Sequence, residues 1–202
     1  MRALLLVDIQ NDFIPGGALA VPGGDEIIPV ANDLQKHFDL VVATQDWHPV
    51  NHKSFASNHT GKEIFEVIDL NGMEQVLWPE HCVQGTEGAE FSKELDINKI
   101  EAIFRKGTDS EIDSYSGFYD NGHRKTTGLS NYLKGKNIKE LYVAGLAADY
   151  CVYFTAKDAL AEGFTTYLIE DAVRAISAEG FEKAKEDILS KGGKTIKSFH
   201  IF

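Results

Sequence analysis

Cys151 falls where the apolar run Glu140-Leu141-Tyr142-Val143-Ala144-Gly145 gives way to a helical pattern opening with Val152, so the sequence sets a thiol at a strand-to-helix junction. The unpaired N–H groups and positive dipole end of a helix's first turn favour thiolate over thiol, which is one way a fold makes a nucleophile. Taken alone, such a cysteine equally well fills core space. Three other apolar runs end on polar groups: Asp8 ends the first, Asp46 follows the second and Lys106 ends the third. If the runs are parallel strands, all four groups reach the sheet edge where ligands bind. Singly, Asp8 reads as a turn cap, and Lys106, before Gly107, as a solvated charge. Together they suggest acyl transfer through a thioester: a cation lowers the thiol pKa, and a carboxylate takes its proton and delivers it to a leaving group.

A second group follows the second run. Asp46-Trp47-His48 places a carboxylate and an imidazole on one side of an extended segment, and His81 lies further on in Trp78-Pro79-Glu80-His81-Cys82. One Asp and two His suit one divalent metal ion, Zn2+ first and Fe2+ or Mn2+ as well, with positions left for water or substrate. Taken singly, His52 and His59 read as loop residues, and His37, His123 and His200 as surface or structural ones.

The elements that must position these groups alternate along the chain. Strands are expected at 3–8, 40–44, 102–105, 141–145, 166–169 and 195–199, mostly without period-two polarity, as suits a sheet covered on both faces. Ile27, Ala31, Leu34 and Phe38 form one helical stripe, Val152, Ala156, Ala159 and Leu160 a second, and Phe181, Ala184, Ile188 and Leu189 a third. Ser177 and Gly192-Gly193 supply start and stop signals for the last helix. Strand-helix alternation predicts an α/β fold, a three-layer α/β/α arrangement with a six-stranded parallel sheet. No linker or repeat divides residues 1–202, so a single domain is expected, with a loop-rich insertion at about 45–98.

Composition narrows the classes. A net charge of -11 disfavours nucleic acid and anionic membrane surfaces as partners. Two cysteines, Cys82 and Cys151, are too few for a disulfide framework and suit a cytoplasmic setting. The apolar start, residues 1–7, is cut by Asp8, too early for a signal segment or a membrane span. No G-x-G-x-x-G follows the first strand, which disfavours a dinucleotide site. No heptad seam or apolar patch speaks to assembly, and a homo-oligomer stays open.

Residues 6–13, 44–49, 78–86, 106–107, 113–118 and 145–152 together resemble the metal-dependent nicotinamidase branch of the isochorismatase-like cysteine hydrolase superfamily, through nearly the whole chain. The resemblance implies that fold, a small-molecule substrate, nicotinamide, and its conversion to nicotinate and ammonia in NAD salvage, with pyrazinamide also accepted. It implies a catalytic triad of Asp8, Lys106 and Cys151, and metal ligands Asp46, His48 and His81, with Ser54 or His52 completing the ion's surroundings. It also implies a cis peptide at Leu146-Ala147, an oxyanion hole from the Ala147 and Cys151 N–H groups, and an aromatic pocket of Phe13, Trp78 and Tyr115. In this reading the metal anchors the pyridine nitrogen. The rivals are a superfamily amidohydrolase acting on an N-carbamoyl or ureido substrate, an isochorismatase, and a catalytically silent metal-binding module.

Overall fold

Along β1 (Arg2–Val7) every residue after Arg2 is buried, and successive side chains enter two different cores. Leu4 and Leu6 pack into one, Ala3, Leu5 and Val7 into the other, which is the strand's period of two with both faces covered. The protein is described over residues 1–201 from a computed structural model. β1 is joined in one sheet by β2 (Leu40–Asp46), β5 (Ile100–Lys106), β6 (Glu140–Leu146), β7 (Thr165–Arg174) and β8 (Lys194–Ile196), in the order β5-β2-β1-β6-β7-β8. Every pairing is parallel.

Helix α1 (Ile28–Leu34) covers the Leu4 face through Ile28, Ala31 and Leu34. On the opposite face lie α2 (Leu129–Gly135), α3 (Cys151–Ala161) and α4 (Ala178–Ser190), contributing Leu129, Leu133, Val152, Ala156, Ala159 and Ile188 to the second core. The fold is therefore three-layer α/β/α around a six-stranded parallel sheet, as the strand-helix alternation predicts. Among the described residues no helix is long and apolar enough to cross a membrane.

Several boundaries differ from the expected ones. β2 runs on to Asp46, and β7 continues past Ile169 to Arg174 with an irregular register opposite 143–145. The last strand stops at Ile196, because Asp171 accepts hydrogen bonds from the Ser198 N–H (2.8 Å) and hydroxyl (2.6 Å) and draws the chain into a short 3-10 turn. The loop-rich stretch holds a hairpin, β3 (Val67–Leu70) and β4 (Met73–Val76), turned by Asn71 and Gly72 at φ 56° and 84°. That Asn-Gly pair is the two-residue hairpin signature. In the rest of the stretch, isolated bridges join Phe91 to Gln10, just beyond β1, and Val83 to His48, just beyond β2.

Candidate active site

The chain winds outward from β1 through β2 to β5, then returns beside β1 with β6 and winds the other way through β7 to β8. The crevice where winding reverses is where an open α/β sheet binds ligands. Asp8 follows β1 at φ 47°, and Cys151 opens α3 just beyond β6, so the two flank that crevice. Asp46 and Lys106 end adjacent strands and are paired in register. Lys106 Nζ lies 2.9 Å from Asp8 Oδ2, donates to Asp46 Oδ1 (2.9 Å) and to the Ser114 carbonyl (2.9 Å), and reaches Cys151 Sγ at 3.4 Å. The Thr44 hydroxyl donates to the other Asp8 oxygen, Oδ1, at 2.6 Å. Asp8 Oδ2 keeps its ion pair with Lys106 but receives no well-angled hydrogen bond.

Desolvation dominates the electrostatics. Burial raises the Asp8 carboxyl above the usual range, with Lys106 pulling down and Asp46 adding to the rise. Burial pushes the Cys151 thiol well up, and the pull of Lys106 does not offset it. For Lys106, burial works against the charge, yet Asp46, Asp8 and Cys151 outweigh it and hold the ammonium well above the lysine range. Burial therefore opposes the thiolate that the helix start and Lys106 favour.

The metal-ligand candidates also converge. His48 Nε2 lies 3.0 Å and His81 Nε2 3.5 Å from the same Asp46 oxygen, Oδ2. Each ring turns its Nδ1 to a carbonyl, Gly107 O at 2.9 Å for His48 and Pro79 O at 2.8 Å for His81. A carbonyl only accepts, so both rings carry the proton on Nδ1 and aim Nε2 at the carboxylate. Burial works against a charge on His48, yet Asp46 outweighs it and raises the His48 pKa, so positive charge is drawn to the point where the two Nε2 atoms and the carboxylate meet. The donor set fits a divalent ion. For Asp46, burial opposes the charge, but His48 and Lys106 outweigh it and hold the carboxyl well below the usual range.

Neighbouring residues fix this geometry. Gln10 donates through Nε2 to the Asp46 carbonyl (2.8 Å) and accepts from the Asp46 N–H at 2.7 Å. Asp12 accepts from the N–H of Cys82, next to His81, at 2.7 Å. Gly107 sits at φ +65°, and a Cβ there would come within 2.3 Å of the His48 ring, so a side chain would displace that ring. His52 is fully buried with its ring 4.3 Å from that of His48, closer to the site than a loop histidine need be. Its Nδ1 accepts from the Ser54 N–H (3.2 Å) and lies 2.7 Å from the Ser54 hydroxyl. Burial holds its pKa down at about 4, so the neutral ring carries its proton on Nε2, an N–H with no acceptor among the described residues. His59 instead bonds the Lys53 carbonyl, as a structural residue does.

Phe13, Trp78 and Tyr115 line one cavity with Cys151, Asp46 and His81. The Trp78 indole N–H donates to the Tyr115 hydroxyl at 3.1 Å. Leu19, Asp113, Tyr150 and Ile176 line the same space, and the sequence reading names none of them. Tyr150 adjoins the cysteine and was within reach of motif reasoning, whereas Leu19 and Ile176 look like any core residue. The Leu146-Ala147 peptide is cis. In the turn that follows, Ala148 N donates to Arg174 O, and Tyr150 N and Val152 N to Ala147 O, whereas the Ala147 and Cys151 N–H groups donate to no acceptor among the described residues.

The isochorismatase domain family matches residues 2–198. The chain is 49% identical over 200 residues to a nicotinamidase of Acinetobacter baylyi, covering 98% of this chain and 94% of that protein. Its structure is similar to that of an Acinetobacter baumanii nicotinamidase pyrazinamidease, with a TM-score of 0.97, 48% identity, and 100% and 98% of the two chains covered. A pyrazinamidase of Pyrococcus horikoshii, crystallised in complex with zinc, matches with a TM-score of 0.81 at 42% identity, covering 97% of this chain and 98% of that one.

Proposed function

The chain belongs to the isochorismatase family, and on that premise we propose that it is a nicotinamidase, an amide hydrolase that converts nicotinamide to nicotinate and ammonia and also accepts pyrazinamide. The observation that carries this reading is the contact of one buried ammonium, Lys106, with both Asp8 and Cys151 beside an aromatic-walled cavity. Phe13, Trp78 and Tyr115 suit a flat ring, which would bring its carboxamide to Cys151.

Asp8 takes the thiol proton as Cys151 Sγ bonds to the amide carbonyl carbon. Its raised pKa makes it a better base than an ordinary carboxylate, and Oδ2, which receives no well-angled hydrogen bond, is the atom to accept. Lys106 steadies the sulfur's developing charge, and the Ala147 and Cys151 N–H groups receive the oxyanion. Asp8 returns the proton to the departing nitrogen, the carbon–nitrogen bond breaks, and ammonia leaves a thioester. Asp8 then takes a proton from water, whose oxygen adds to the same carbonyl. Collapse releases nicotinate, and Asp8 reprotonates the sulfur.

Asp46, His48 and His81 would hold one divalent ion, for which Zn2+ suits the donor set best and Fe2+ or Mn2+ also fit. When bound, such an ion supplies a Lewis-acidic anchor for a ring nitrogen. The Nε2–H of His52 would donate to a water or ligand atom there. Two free, buried thiols support a reducing, cytoplasmic setting. The test is ammonia release from nicotinamide. The wild-type chain turns it over, and Cys151→Ala abolishes release while keeping the bound metal by elemental analysis. Full turnover by that variant rules out the thioester route.

A further inference from the structure

Just before α4, two consecutive backbone amides point at a single carboxylate. The Ile176 N–H donates to Asp149 Oδ1 at 3.0 Å, and the Ser177 N–H to Oδ2 at 2.8 Å. The Ala148 N–H donates to the Arg174 carbonyl at 2.7 Å and ties the same two segments together. One segment is the turn that ends in Cys151, and the other carries Ile176 into the wall of the cavity that Cys151 and Trp78 share. Asp149 itself does not line that cavity, so whatever it does for a bound ring it does through Ile176.

We propose that Asp149 is a positioning residue that sets ring selectivity, by clamping Ile176 to the nucleophile turn so that this side of the cavity cannot retreat. An apolar wall discriminates by shape only as far as it resists displacement, and Ile176 sits in a short link between β7 and α4. A carboxylate suits the task because it only accepts, with one oxygen for each amide. Asparagine would satisfy one amide and turn its own NH2 against the other. The rival account is structural: a carboxylate near the start of α4 also stabilises that helix. Gly180, in the first turn, is close enough that a Cβ there would lie 3.2 Å from Asp149 Oδ2.

The inference rests on the proposed nicotinamide reading, and the experiment separates the two. Metal-loaded, full-length wild type, Asp149→Ala, Asp149→Asn and Ser177→Ala are assayed for kcat and KM on nicotinamide and on a ring-methylated nicotinamide, with Tm recorded for each. The wild type prefers nicotinamide. Asp149→Ala is expected to lose about tenfold of that preference, mostly through KM, as expected when a wall gives by the width of a methyl group, with Asp149→Asn between the two. Ser177→Ala removes the cap that accepts from Gly180 N but leaves both amides on Asp149, so it lowers Tm and keeps the preference. A preference unchanged in Asp149→Ala, or lost equally in Ser177→Ala, overturns the clamp. Should Asp149→Ala not fold, Ile176→Ala must reproduce the loss, and adding Asp149→Asn to it must change little; additive effects overturn the clamp. A wild type that leaves nicotinamide intact removes the functional reading before any variant is compared, and the clamp with it.

Discussion

The Lys106 ammonium has three hydrogens and four neighbours that want them: Asp46 Oδ1, the Ser114 carbonyl, Cys151 Sγ and Asp8 Oδ2. The one held by charge without a well-angled hydrogen bond is Asp8 Oδ2, the atom assigned here to proton transfer. Asp8→Asn, similar in shape but a poor base, is therefore expected to cut kcat on nicotinamide by about 10²–10⁴ while KM moves little. Steady-state kinetics check this, and a near-normal kcat would remove Asp8 from the mechanism. The chemical groups were legible because their types are scarce and each ends an apolar run. The residues that hold them were not. Gln10 secures Asp46 from 36 positions away and Asp12 secures Cys82 from 70, and a buried hydrogen bond of that span leaves no local periodicity.

At the scale of elements, strand ends deliver the chemistry and the residue just beyond an end decides whether the delivery fits. Gly107 is the sharpest case. Its positive φ and the His48 ring 2.3 Å from where a Cβ would stand exclude any side chain. Gly107→Ala is expected to cost about 1–3 kcal/mol of stability from the backbone strain alone. It should also weaken metal retention by pushing His48 from its Gly107 carbonyl partner. Urea unfolding and metal titration check both effects, and a variant that binds metal as tightly as wild type would show that His48 tolerates the shift. All six strands of the main sheet were readable from apolar runs. α2 was not: it spans seven residues, Leu129–Gly135, and starts from Gly128 at φ 90° with no side-chain cap. The β3–β4 hairpin was missed because only Gln75 among its strand residues is buried, so its Asn-Gly turn stood without a strong flanking apolar pattern.

For the molecule as a whole, the two cores lie on opposite faces of the sheet, and polar contacts tie the helices of one face together. Glu162, at the end of α3, accepts from the Tyr119 and Ser130 hydroxyls and from Lys134 of α2. Those hydrogen bonds, that of Lys134 foremost, lower its pKa to about 2 from the ordinary 4.5. A depressed carboxylate pKa adds stability above the unfolded value, and that stability is lost as pH falls through the folded one. Wild type should therefore exceed Glu162→Gln by about 1–2 kcal/mol at neutral pH, a figure kept low because the group is partly solvated, and the gap should close between pH 4.5 and 2. Denaturant unfolding across that range measures it; a gap independent of pH would mean that the charge contributes nothing. The reversal of winding beside β1 also orders events during synthesis. Asp8, Asp46, His48, His81 and Lys106 all leave the ribosome before residue 107, whereas the sulfur follows 45 positions after Lys106, on the strand-turn-helix that must slot against β1. A growing chain therefore acquires the proposed ion ligands well before the proposed nucleophile, and the proposed site is incomplete until β6 docks.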